Sequence, residues 1–350
     1  MRAVTATSFP TPLRLAGLAL GLAALAACGG SGAETQTSTP AERIGPVLEL
    51  PVDCVIGETC AIQNYVDRDP GPGVRDYACG GRTYQDHNGL DIRTLDMAAQ
   101  RAGVDVLAAA DGQVVRLRDG VADVSVRTGG LAAVEGAECG NGVVIDHGGG
   151  WETQYCHLAQ GSLQVAAGER VHAGQPIGRI GLSGQTEYPH LHFTVRRDGA
   201  VVDPFAPAAG EGGRVCEAQN PLWSDAALAA LAYQSGAVLN AGFSAGAVTL
   251  EAVEEAGVTP PAAHAPALVA YVRAIALEAG DVQHLRLTAP DGTVLAETRI
   301  DPLESAKAQY LTYAGRRTPP EGWAEGTYEA RFTVERGGRR VVERDFALVF

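Results

Sequence analysis

Three short pieces of the chain carry side chains that could do chemistry together. They are His87-Asn88-Gly89-Leu90-Asp91, Tyr155-Cys156-His157-Leu158 and Pro189-His190-Leu191-His192-Phe193. Two histidines and one carboxylate suffice to hold one zinc ion and leave a fourth position for water, which is the catalytic arrangement rather than the closed structural one. Two further histidines then remain to handle protons. A water activated in this way attacks carbonyl groups, so the chemistry expected is hydrolysis.

The elements around these pieces must bring them together. In a strand, side chains two apart share a face. His190 and His192 therefore point one way and Leu191 the other. The same parity places Tyr155 and His157 on one face and Cys156 on the opposite face, with Tyr155 either supporting the site or packing. His87 and Asp91 share a face in a strand, or meet through a bend at Gly89. A bare His-x-His is better explained by an exposed strand face; only the combination points to a site.

Residues 81–206 read as all-β, with short Val- and Ile-rich runs between glycine turns. The runs are 112–117, 141–147, 151–158, 175–180 and 190–196, and Gly148-Gly149-Gly150 signals a hairpin between the second and third. Residues 47–80 hold three cysteines and Asp69-Pro70-Gly71-Pro72-Gly73, and suggest an irregular cystine-stapled lead-in. Residues 207–220 read as a linker. Across 221–350, a short apolar segment from Ala227 to Tyr233 precedes alternating runs with turns at Asp291-Gly292 and Gly337-Gly338. These predict a small immunoglobulin-like β-sandwich. The fold class expected is thus mainly β: an antiparallel β-sheet domain holding the histidine pieces, followed by a sandwich.

The connecting phrases say more than the isolated residues. Gly142-Val143-Val144-Ile145-Asp146-His147-Gly148, Glu152-Thr153-Gln154-Tyr155-Cys156-His157-Leu158, Gly181-Leu182-Ser183-Gly184, Pro189-His190-Leu191-His192-Phe193 and the closing Asp203-Pro204 resemble the lysostaphin-type (LytM-like) zinc metallopeptidases. The resemblance covers about 81–206. It implies that His87, Asp91 and His192 bind one Zn2+ per chain and that His157 and His190 are the catalytic pair. It also implies peptidoglycan as substrate, cut at a peptide bond of its cross-links. Which histidine is the base stays open. Thr194 departs from the acid that many members carry after the His-Leu-His-Phe phrase. His147 reads as structural at a hairpin end, and His172, His264 and His284 match no motif.

The N-terminus reads as a targeting segment. Arg2 and Arg14 precede an apolar run from Leu15 to Ala27 that is too short to span a bilayer. The ending Leu25-Ala26-Ala27-Cys28 resembles the lipobox of bacterial lipoproteins, which implies a signal peptide over 1–27, lipidation of Cys28 and a flexible tether over 28–46. An ordinary secretory signal is the alternative. Gly29 rather than an acid follows the cysteine, so the expected location is the bacterial cell envelope, anchored to the outer membrane and facing the periplasm. The net charge of -14 argues against a nucleic-acid partner. Removing 1–27 leaves 25 basic and 41 acidic side chains, a net of -16.

Beyond Cys28, six cysteines remain: Cys54, Cys60, Cys79, Cys139, Cys156 and Cys216. An even count in an exported chain suggests disulfides, and six allow fifteen pairings. Cys54 and Cys60 are close in the chain, Cys139 and Cys156 flank the hairpin, and Cys79 would be left with Cys216. No pair has the two-residue spacing of a thiolate zinc site.

Two functions of different kinds fit. One is a zinc endopeptidase acting on cross-linked peptidoglycan. The other is a non-catalytic wall-binding protein, or an activator of another cell-wall hydrolase; such members typically lose ligands, whereas this chain keeps all five functional positions. A secreted protease acting on proteins would use the same chemistry. The C-terminal domain shows no chemistry of its own and leaves open a role in binding glycan or a protein partner.

Overall fold

In the computed structural model, Leu191, Phe193 and Val195 lie in the apolar core, each no more than 1% exposed, while His190 and His192 alternate with them on the other face. This alternation sets the orientation of the first sheet. The structure describes residues 44–207 and 216–350, so Cys28, the expected signal peptide and nearly all of the expected tether lie outside the described residues. Among the described residues, no helix is long and apolar enough to cross a membrane.

Among the described residues, ten strands precede the sandwich: β1 (Cys60–Asn64), β2 (Leu90–Thr94), β3 (Asp105–Leu107), β4 (Gly112–Arg118), β5 (Asn141–Gly148), β6 (Trp151–Leu158), β7 (Arg170–Val171), β8 (Pro176–Arg179), β9 (His190–Arg197) and β10 (Ala200–Val202). Eight of them form one sheet, ordered β1-β2-β9-β6-β5-β4-β7 with β10 added to β9, and β3 pairs with β8. All of these pairings are antiparallel. The register puts Asp91 opposite His192 and Cys156 on the far side of His192, so the site is assembled across neighbouring strands.

Two expected boundaries do not divide the structure. The lead-in over 47–80 is not wholly irregular, because its Cys-Ala-Ile-Gln-Asn run becomes the edge strand β1 against β2. Every apolar side chain of that run is buried, which outweighs the turn-rich context around it. Likewise the sandwich does not begin at 221. Leu222, Trp223, Ala227 and Leu231 pack into the first core, and the apolar segment there forms the helix Asp225–Ala230, capped by Ser224.

The sandwich comprises β11 (Ala237–Ser244), β12 (Ala267–Leu277), β13 (Val282–Thr288), β14 (Val294–Ile300), β15 (Lys307–Arg317), β16 (Thr327–Arg336) and β17 (Arg339–Val349). Sheets β11-β12-β15 and β14-β13-β16-β17 share one core that includes Leu268, Val272, Leu285 and Phe332. Seven strands in sheets of three and four are the immunoglobulin-like architecture. The turns at Asp291-Gly292 and Gly337-Gly338 join β13 to β14 and β16 to β17.

Three disulfides brace the chain: Cys54–Cys60, Cys79–Cys216 and Cys139–Cys156. A buried ion network joins the sandwich to the first sheet. Glu254 Oε2 lies 3.1 Å from Arg93 on β2 and also pairs with Arg273 on β12. Both arginines are essentially fully buried. Two buried cations sharing one carboxylate leave little tolerance, since removing one partner of a buried pair typically costs about 3–5 kcal/mol. Glu254→Gln should therefore destabilise the protein by an amount of that order in chemical denaturation. A loss below about 0.5 kcal/mol, typical of a surface substitution, would show that the network carries no weight.

Candidate active site and metal centre

Asp91 is the centre of the site. Its Oδ1 lies 2.8 Å from His192 Nδ1 and 3.5 Å from His190 Nε2, and its Oδ2 lies 3.1 Å from His87 Nε2. Asn64 on β1 donates its side-chain amide to the same Oδ2 at 2.9 Å. His87 Nε2 and His192 Nδ1 stand 3.3 Å apart. Tetrahedral donors bound to zinc at about 2.0–2.2 Å stand roughly 3.3–3.5 Å from one another, so these separations are close to what one ion requires. Burial alone would raise the Asp91 carboxyl, but the facing His87 and His190 and the hydrogen bonds from His190 and His192 hold it well below the usual carboxylate range.

Each ring has its outer nitrogen committed. His87 Nδ1 donates to the Tyr65 carbonyl at 2.6 Å, which leaves Nε2 bare toward Asp91. His192 is turned the other way: Nε2 lies 2.9 Å from Asn88 Oδ1 and 3.1 Å from Thr194 Oγ1, so Nδ1 faces the centre. Fixing the tautomer of a ligand histidine in this way is what second partners of metal sites do. Thr194, the one departure noted in the sequence, thus touches His192 directly. Gly89 is needed where these groups converge, because a Cβ there would sit 2.7 Å from the His192 ring.

The spare pair is set in the same manner. His157 Nδ1 donates to the Ser183 carbonyl at 2.8 Å, and His190 Nδ1 lies 3.0 Å from both the Tyr188 carbonyl and Thr186 Oγ1. The two rings are 4.7 Å apart. Burial, and then the neighbouring His190 and His192, push the His157 imidazole well below its usual range and keep it neutral.

The parity expected for the second piece fails. Tyr155 pairs with Phe193 and lies in the core, its hydroxyl accepting from Ala109 N at 2.8 Å, whereas Cys156 pairs with His192. His157 reaches the site because its backbone is left-handed, with φ of 63°. That conformation breaks the alternation, so the His157 ring faces His190 and His192 while Leu158 returns to the core. His147 serves the hairpin, within 2.7 Å of the Asp111 carbonyl and Thr153 Oγ1. His172 and His284 lie near Asp111 and Glu297.

Several contributors carried no signal in their own segments. Gln63 and Asn64 come from the edge strand and the Tyr65 carbonyl from the residue just after it, and the Arg93 guanidinium stacks 4.1 Å from the Tyr188 ring beside His190. The site opens into a cleft of about 400 Å³ lined by His157, His190 and Asp91, by the 126–131 segment, and by 276–278 and 306–308 of the sandwich.

An antiparallel sheet presenting a His-Asp-His donor set beside two further imidazoles is an arrangement suited to metal-assisted hydrolysis. Residues 85–204, 120 of the chain's 350 residues, match the model of Peptidase family M23. The DD-carboxypeptidase/endopeptidase Mpg of Neisseria meningitidis is 36% identical over 106 residues, covering 30% of this chain and 22% of that protein. The peptidoglycan DD-endopeptidase ShyA of Vibrio cholerae is 34% identical over 31% of this chain and 19% of its own length. The murein hydrolase activator EnvC of Escherichia coli is 42% identical over 62 residues, 18% of this chain and 14% of its own. The chain therefore spans about a fifth of these relatives or less.

His192→Ala should lose most bound zinc and all peptidase activity, whereas His157→Ala and His190→Ala should keep zinc and lose turnover. Gly89→Ala, which removes no donor, should also weaken zinc retention by displacing His192. Metal analysis of the purified variants checks this; zinc lost from His157→Ala, or kept at full stoichiometry by His192→Ala, would show the donor set to be wrong.

Proposed function

We propose that the protein is a zinc-dependent endopeptidase that hydrolyses peptide cross-links of peptidoglycan. The observation that carries the reading is the complete donor set of His87, Asp91 and His192 standing beside His157 and His190, whose Nδ1 atoms are turned away to the Ser183 and Tyr188 carbonyls. Zinc held there would supply an activated water and polarise the scissile carbonyl. The chain's own residues do the rest. One of His157 and His190 accepts the proton of the attacking water at Nε2 and passes it to the leaving amine, while the other, carrying a proton on both nitrogens for this role, donates from Nε2 to the carbonyl oxygen as charge develops there. Their Nδ1 contacts to Ser183 and Tyr188 keep both rings oriented for this.

Likeness to Mpg and ShyA supports the substrate class, and we take the D-alanyl cross-link to a diamino acid as the bond, with glycine bridges as the alternative. Likeness to EnvC favours a second reading, a non-catalytic activator of another hydrolase. We further propose that Leu25-Ala26-Ala27-Cys28 directs lipidation at Cys28 and holds the enzyme on the periplasmic face of an outer membrane. A flexible tether of 29–46 would reach on average about 20–25 Å into the adjoining wall. The acidic mature chain offers no bulk attraction to an anionic wall, so recognition falls to the cleft.

Zinc-loaded protein incubated with purified sacculi should raise monomeric muropeptides at the expense of cross-linked dimers. Unchanged cross-linking, with zinc bound and the fold intact, would move the assignment to the activator. Separately, mass spectrometry of the mature protein should find Cys28 diacylglyceryl-modified and N-terminal, and Cys28→Ala should release it from the membrane. An unmodified Cys28 in the mature wild type would end the anchoring idea.

A further inference from the structure

We infer that Lys307, contributed by the sandwich, is a carboxylate-binding subsite of the catalytic cleft and selects peptide substrates that carry a free carboxylate near the scissile bond. This rests on the endopeptidase reading for its substrate class, though not for its geometry. Lys307 is the sole lysine of the chain and the first residue of β15, and it lines the same cleft as His157, His190 and Asp91.

The other charges lining that cleft are committed. Glu187 is paired with Arg127, 2.6 Å away. Glu278 is paired with Arg336, which also grips Asp281 at 2.8 Å. Arg82 is buried, with its guanidinium spent on the carbonyls of Ile62, Gln63 and Gln234. Asp91 belongs to the metal centre. Lys307 is half-buried, and among the described residues it makes no ion pair; its ammonium donates only to Ser305 Oγ, at 3.0 Å. The cleft therefore presents one uncommitted cation. In a chain of net charge -14 this is the place where an anionic peptide meets a complementary charge. An ammonium–carboxylate hydrogen bond is of the strong, charge-assisted kind.

The wall that carries Lys307 is fixed relative to the metal centre. Gln63 donates its side-chain amide to the Ala308 carbonyl at 3.2 Å, and the next residue, Asn64, holds Asp91. One edge strand thus sets both the donor carboxylate and the segment bearing the ammonium, so a bound carboxylate would place the rest of the peptide in a defined register over the histidines.

The test uses the full mature chain with Lys307→Ala, Lys307→Glu and Lys307→Arg. The ligands are a cross-linked peptide dimer purified from sacculi and the same dimer with its carboxylates converted to carboxamides. Binding to zinc-free protein is measured by calorimetry, and KM and kcat are measured with zinc. Lys307→Ala should raise Kd and KM for the free-carboxylate dimer about tenfold with kcat within about twofold. Lys307→Glu should weaken it further and Lys307→Arg should recover most of the affinity. The carboxamide should bind wild type as weakly as the free dimer binds Lys307→Ala, and be indifferent to the substitution. Equal affinities of wild type and Lys307→Ala for the free dimer would overturn the subsite even if sacculi are cut. Conversely, a Lys307-dependent Kd without any cutting would uphold the subsite and overturn the endopeptidase reading. A wild type that neither binds nor cuts would overturn both.

Discussion

A buried carboxylate cannot stand alone, and most of this architecture follows from what surrounds Asp91. Desolvating an ion is expensive, so a charge at that depth has to be met by opposite charge and hydrogen bonds on every side. Here three imidazoles and the Asn64 amide meet it. They come from a loop, from the neighbouring strand β9 and from the edge strand β1, so the carboxylate dictates which strands must adjoin. The order β1-β2-β9 is the solution. The same clustering that satisfies the carboxylate leaves donors at the mutual spacing a divalent ion accepts.

Bringing His157 to the same cluster required a break in regularity. A flat strand with Tyr155 in the core cannot also deliver the residue two positions on to the opposite face. The chain resolves this with one left-handed residue, His157, held by bonds from its own N–H to the Cys139 carbonyl and from Gly181 N to its carbonyl. A left-handed non-glycine residue costs on the order of 1–3 kcal/mol and persists where its surroundings over-determine it. The Cys139–Cys156 bridge lies immediately beside this turn and restrains it from both sides.

The degree to which the site was legible follows the locality of each contact. His190 and His192 share a face as period-two alternation demands, because β9 is regular through that stretch. The identical reasoning misplaces Tyr155 relative to His157, since alternation carries no warning of a left-handed residue that is not glycine. Asn64 lies 27 residues from its carboxylate partner and Glu254 lies 161 from Arg93, and nothing in their own segments announces such partners. The family match over 85–204 is shorter than the physical unit, because Gln63 and Asn64 precede it and Glu254 and Lys307 follow it. The sandwich was recognisable from its turns; its place as a wall of the cleft was not, because that depends on packing between segments far apart in the chain.

The Cys79–Cys216 bridge spans a sequence separation of 137 and joins the chain before the strands that hold the histidines to the chain just after 208–215. Sulfur therefore duplicates the backbone connection across that stretch. A protease that severed the chain there would not part the two pieces: nicked and intact protein would migrate alike without reductant and differ only once thiols were restored. In an oxidising compartment, where such bridges persist, the protein could be cut at that point and keep both halves of its cleft in one covalent molecule.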